Sequence, residues 1–244
     1  MVPFLLVSTR PEEEALASEY GAYLRSTGLQ PEELELAEFD LVGLPDIDPQ
    51  RFAGVFVAGS PYGGGARGYV SQTQKWVQKE LKSLFSQLLE AGTPLLATGN
   101  ATPILADRLG LPVSSEFAEF GELTEIELTR EAKKDLVFGD LPDAFPAYVN
   151  HGEAVEKLPE GVTRLARSLN TPVQVFRSGE RVYGVQFSPE LDAELIGAKI
   201  TAFHDAGDSG IGDTESLVTT GRYGSGDHVA GRVLANFVKV FQQD

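Results

Sequence analysis

The feature that most constrains this chain is an alternation, running through its first half, of short β-prone apolar runs with longer stretches of helical spacing. Phe4–Ser8 is a short apolar run, and Pro11–Ser26 follows with Leu16, Tyr20, Tyr23 and Leu24 at helical intervals. Leu34–Phe39 alternates Leu and Glu, the pattern of a strand exposed on one face, whereas Phe52–Ala58 is unbroken, as a strand buried on both faces would be. Ser71–Glu90 predicts a long amphipathic helix with Val77, Leu81, Leu84, Leu88 and Leu89 inward, stopped by Gly92-Thr93-Pro94. Leu95–Thr98 reads as the next strand, and Ala101–Leu109 as a short helix closed by Gly110. Strand, helix, strand, helix in this order requires crossover connections. The expectation is therefore an α/β fold, a mostly parallel central sheet with helices on both faces.

The second half changes character. Leu123–Thr129, Phe145–Val149, Val162–Ser168, Val173–Arg177 and Val182–Phe187 all read as strands, and the turn Ser178-Gly179-Glu180 makes the last two an antiparallel hairpin. Helical patterns return over Glu190–Phe203, Glu215–Thr220 and His228–Phe241. With no repeats and no long linker, one domain over residues 1–244 is expected.

Composition excludes several kinds of chemistry. Thirty-six acidic residues against twenty basic give a formal charge of −16 with no basic cluster, which argues against nucleic acid as a partner. The chain has no cysteine, which rules out disulfides, thiolate metal sites and cysteine nucleophiles. Its three histidines, His151, His204 and His228, are too dispersed to suggest a metal centre, and no cofactor is called for. The longest apolar runs are too short to cross a bilayer, and Met1-Val2-Pro3-Phe4 reads as the entry to a strand. No membrane association is expected, and the cytoplasm is the default location.

Two loops invite specific readings and fail them. Tyr62-Gly63-Gly64-Gly65-Ala66-Arg67-Gly68-Tyr69 lacks the Gly-Lys-Ser/Thr ending of a phosphate loop. Asp205–Asp213 lacks the acid spacing and closing Glu of a calcium loop. Both are read as connections, the first near a pocket mouth.

Three segments, in order, carry a family resemblance. They are Val55-Phe56-Val57-Ala58-Gly59-Ser60-Pro61, Pro94-Leu95-Leu96-Ala97-Thr98-Gly99-Asn100-Ala101-Thr102-Pro103, and Val182-Tyr183-Gly184-Val185-Gln186-Phe187-Ser188-Pro189-Glu190. Asn150-His151-Gly152-Glu153-Ala154-Val155 lies between the second and third. Over about residues 1–200 the chain resembles the class I glutamine amidotransferases, particularly stand-alone members similar to the amidotransferase part of GMP synthase. The resemblance implies a flavodoxin-like fold. It also implies a site with a Cys nucleophile on a strand-to-helix elbow, a His base and a Glu that orients it. Carried over, those positions are Gly99, Ser188 and Glu190, with Gly59 and Asn100 at the two oxyanion-donor positions. Pro103 stands where the family often has Gln. The elbow register has an internal check: small residues, Ala97 and Ala101, lie two before and two after Gly99. A nucleophile elbow also holds its central residue at positive φ, which glycine adopts most readily.

The expectation is an amidotransferase-like domain inactive in glutamine hydrolysis by the family mechanism. It would bind a small amide or amino acid, or act through a protein partner or as a homodimer. The rival is a working hydrolase or amidotransferase with Thr98, Ser60 or Ser188 as nucleophile and His151 as a candidate base. His151 is otherwise expected to make a structural hydrogen bond or touch a ligand, and His204 and His228 to lie on the surface.

Overall fold

The structure, a computed structural model, describes residues 2–40, 42–63, 71–192, 195–196 and 228–242. The helices expected over 190–203 (apart from residues 190–192, which are not helical, and 195–196) and 215–220, the glycine-rich stretch beyond Gly63, His204 and the loop 205–213 lie outside them.

Among the described residues eleven strands follow in chain order: β1 (Phe4–Ser8), β2 (Leu34–Glu38), β3 (Val55–Val57), β4 (Leu95–Thr98), β5 (Val113–Ser114), β6 (Glu119–Leu128), β7 (Ala144–His151), β8 (Ala154–Val155), β9 (Val162–Arg167), β10 (Val175–Ser178) and β11 (Val182–Val185). The α-helices whose bounds fall within them are α1 (Glu13–Thr27), α2 (Gln72–Ala91), α3 (Ala101–Arg108) and α4 (Arg232–Phe241). Nine strands form one sheet in the order β2-β1-β3-β4-β11-β10-β9-β6-β7, while β5 and β8 pair separately. From β2 to β11 every pairing is parallel, and from β11 to β7 every pairing is antiparallel. The boundary falls at β11, which pairs parallel with β4 and antiparallel with β10.

Period-two alternation divides the parallel strands between two cores. Phe4, Leu6, Phe56 and Leu96 face α1 and α4, where Phe56 lies 5.2 Å from Phe237 and 5.6 Å from Tyr23 between ring centroids. Leu5, Val7, Val55, Val57, Leu95 and Ala97 face α2 and α3. Helices thus cover both faces, with α1 packed on α4 and α2 on α3. Caps set the helix ends: Ser71 Oγ accepts the Gln74 N–H at the start of α2, and Gly92 closes it at φ 70°.

Three details differ from the sequence reading. The fifth inward residue of α2 is Phe85, and Leu89 is half-buried, because the inner stripe follows Val77, Leu81, Leu84, Phe85 and Leu88. On β2, Leu34 and Ala37 are buried but Leu36 is 39% exposed, since this strand is the rim of the sheet. His228 is half-buried beside Asp192 and the backbone of Leu191 rather than on the surface, and burial holds its pKa down. Among the described residues no helix is long and apolar enough to cross a membrane.

Gly184 of β11 shows how tightly the layers close. A Cβ there would fall 2.3 Å from Phe176 Cε1 and 2.9 Å from Thr102 Cγ2. Gly184→Ala is expected to destabilise the fold by about 1–3 kcal/mol through overpacking. Chemical denaturation checks this, and an unchanged midpoint would contradict it.

Candidate active site at the Gly99 elbow

Four parallel neighbours, β1, β3, β4 and β11, deliver their C-terminal ends to one place, the usual location for a ligand on an open α/β sheet. The ends bring Thr9 and Arg10, Gly59 and Ser60, Gly99 and Asn100, and Ser188 to Glu190. The sharpest local feature is the bend between β4 and α3. β4 stops at Thr98, α3 starts at Ala101, and Gly99 between them has φ 50°. The Gly99 N–H donates to Val185 O at 2.8 Å, and Gly99 O accepts the Thr102 N–H at 3.0 Å. Thr102 Oγ1 completes the stitch, 2.8 Å from Val185 O and 3.0 Å from Ala97 O, while accepting the Val185 N–H at 3.2 Å.

Position 99 looks into a narrow gap. A Cβ there would lie 3.4 Å from Gly59 Cα on one side and 3.8 Å from Ser188 Oγ on the other. A Cβ on Gly59 would in turn stand 3.8 Å from the Asn100 nitrogen. Of the positions that the resemblance pairs, 99 therefore neighbours both 59 and 188, and 59 neighbours 100. Gly59, Asn100 and Ser188 are half-buried and Gly99 is buried. Ser188 is held by its own N–H, which donates to Tyr148 O at 2.9 Å.

The candidate hydroxyls are placed differently. Thr98 points to the α1 side of the sheet, fully buried, 3.0 Å from the Tyr23 hydroxyl. Ser60 is buried and its Oγ accepts from Thr9 Oγ1 at 3.0 Å and from the Tyr62 N–H at 3.1 Å. Pro103 is buried in α3. His151 is fully buried with Nε2 3.0 Å from Glu119 Oε2. Among the described residues no histidine is hydrogen-bonded to Ser60, Thr98 or Ser188. A hydroxyl without an adjacent base stays protonated at neutral pH and is a poor nucleophile.

Two polar clusters flank the site; of their members the sequence reading singled out only His151, expected to make a structural hydrogen bond or touch a ligand. The first lies under the elbow: Arg10 Nε meets Glu19 Oε1 at 2.8 Å, and Ser8 Oγ donates to Glu19 Oε2 at 2.5 Å. Burial opposes the Arg10 charge, but Glu19 and the nearby Glu190 outweigh it and raise the guanidinium pKa. Burial, then Glu190 and Glu19, raise the Tyr23 phenol well above its usual value, so it remains a hydrogen-bonding hydroxyl. The second is centred on Glu119, which receives Gln174 Nε2 at 2.6 Å, Thr171 Oγ1 at 2.9 Å and Ser168 Oγ at 3.1 Å besides His151. It reaches the elbow through the neighbour of His151, since the Gly152 N–H donates to Asn100 Oδ1 at 3.2 Å. Polar Gln174 and Gln186 inside apolar strand runs were the available signal. Glu119, in an acidic stretch, carried none. Among the described residues no His, Cys, Asp and Glu grouping fits a metal ion.

Two outcomes follow. Replacing Gly99 by Ala places a side chain at φ 50° and is expected to cost about 1–2 kcal/mol; equal stability in urea would refute the strained bend. Burial raises the Glu119 pKa, but the His151 contact and two hydroxyl donors outweigh it and lower the net value below 4.5. A carboxylate with a depressed folded pKa adds stability above its unfolded pKa and loses it as pH falls through the folded one. Melting temperatures should therefore drop below about pH 4.5, and Glu119→Gln should melt lower at pH 7 with a flatter acid limb; parallel acid limbs would count against this.

Comparison with known proteins bears on the family and the fold. The family model of glutamine amidotransferase class-I matches residues 44–204, well over half the chain. GMP synthase (glutamine-hydrolyzing) of Borreliella burgdorferi is 27% identical over 157 residues, 64% of this chain and 28% of that protein. The corresponding protein of Thermosipho melanesiensis is 33% identical over 125 residues, 50% of this chain and 23% of its own length. The chain thus spans less than a third of these curated relatives. Among solved structures, a glutamine amidotransferase from Thermotoga maritima superposes with a TM-score of 0.76 at 18% identity, covering 100% of both chains. A glutamine amidotransferase from Methylobacillus flagellatus gives 0.71 at 14% identity, covering 100% of this chain and 97% of that one. At these identities the structural likeness speaks for the fold. With the family match over residues 44–204, it places the chain in the class I glutamine amidotransferase family.

Proposed function

We propose that this domain binds a small amide or amino acid at the Gly99 elbow without hydrolysing it, and serves a regulatory or partner-facing role in the cytoplasm. The observation that carries the reading is the gap at position 99. A Cβ-bearing residue would aim between Gly59 and Ser188, yet the chain supplies glycine there, a hydroxyl opposite and no cysteine anywhere. In the family's reaction a thiolate attacks the carboxamide and an imidazole carries the proton. Here the site retains Gly59 and Asn100 at the two oxyanion-donor positions, a polar wall at Ser188 and a buried carboxylate at Glu190, so amide-sized ligands remain a chemical match.

Purified protein incubated with L-glutamine is expected to release ammonia and glutamate at the buffer rate. Millimolar L-glutamine should nevertheless raise the melting temperature, since a ligand at about 100 times its Kd stabilises by about 2.7 kcal/mol. Ammonia release that disappears on Ser60→Ala or Thr98→Ala would overturn the proposal in favour of hydroxyl catalysis. An unchanged melting temperature would leave the partner-facing role without the ligand.

A further inference from the structure

The turn that follows β3 is held from both sides. The Gly63 N–H donates to Ser60 O at 3.3 Å, the Tyr62 N–H donates to Ser60 Oγ at 3.1 Å, and Gln78 Nε2 of α2 donates to Tyr62 O at 3.1 Å. Its far end rests on the elbow. A Cβ at Gly63 would fall 2.2 Å from Asn100 Cβ, 2.9 Å from Asn100 Cγ and 2.8 Å from Asn100 O. No side chain can occupy that contact. Asn100 has little room to retreat, because its Oδ1 accepts the Gly152 N–H at 3.2 Å and its backbone leads straight into α3.

The contact lies beside position 99, where a side chain would already be confined between Gly59 Cα at 3.4 Å and Ser188 Oγ at 3.8 Å. The seated turn therefore packs directly on Asn100, the residue next to position 99. We propose that Ser60–Gly63 is a latch over the elbow, and that the fit of Gly63 on Asn100 determines how wide a group reaches position 99. As a specificity-determining contact it deepens the binding role proposed above and rests on it. The latch itself is measurable without any ligand or turnover. A short turn held by a few hydrogen bonds opens at lower cost than the sheet beneath it, so its seating is adjustable.

Because the chain has no cysteine, Gly99→Cys introduces a single thiol inside the cleft. Its alkylation by iodoacetamide and by the bulky N-(1-pyrenyl)maleimide is followed below the melting transition, each rate divided by that of free cysteine. In this background the bulky reagent should be slower by about tenfold or more. Adding Gly63→Ala unseats the latch and should erase most of that difference. Asn100→Gly, which removes the same contact from the other side, should do likewise and gives the answer if Gly63→Ala fails to fold. Equal relative rates for both reagents before any latch change would overturn the proposal, as would rates insensitive to Gly63→Ala and Asn100→Gly. Glutamine hydrolysis in the unaltered protein would instead overturn the inactive reading and leave the latch standing.

Discussion

The chain has to turn from strand to helix between Thr98 and Ala101, and the rest of the site follows from how it does so. Gly99 at φ 50° makes the turn, and Val185 and Thr102 hold it by three short contacts that also join β4 to β11. Since β11 is where parallel pairing gives way to antiparallel, the same contacts join the two halves of the sheet. A side chain begun at position 99 would then touch Gly59 Cα on leaving the bend and have Ser188 Oγ as its next neighbour.

Much of this was legible in the sequence because it depended on local chemistry. An unbroken apolar run at β3 announced a strand buried on both faces, and small residues at 97 and 101 announced close helix–strand packing around 99. The hairpin β10–β11 was visible in its turn, with Gly179 at φ 61°. What escaped depended on contacts between segments distant in sequence. Glu119 gathers partners from β7 and from the connection between β9 and β10, and nothing in its own stretch of sequence distinguishes it from the acids beside it. The same holds for Arg10 and Glu19, whose pairing depends on how α1 returns over β1. Thr98 entered the rival reading as a candidate nucleophile. Period-two alternation instead turns it away from the Ala97 side, to Tyr23.

In the proposed account, two polar clusters hold the shape of a site that carries no reactive group. Buried charges remain stable only when paired and hydrogen-bonded, so removing one member is costly even where no chemistry depends on it. Arg10 with Glu19, and Glu119 with its four donors, sit on either flank of the elbow, and the second cluster is tied to it through Gly152 and Asn100. In the proposed account these clusters preserve the family's cleft for binding after the nucleophile position became glycine.

The most direct test of that account is intact-mass analysis after treatment with a diazo-ketone analogue of glutamine, an electrophile that traps the attacking group. The unaltered chain is predicted to gain no adduct, and Gly99→Cys combined with Ser188→His to gain one, located at position 99. An adduct on Ser60, Thr98 or Ser188 of the unaltered chain would show a reactive side chain aimed into the cleft, and would contradict the claim that none is there.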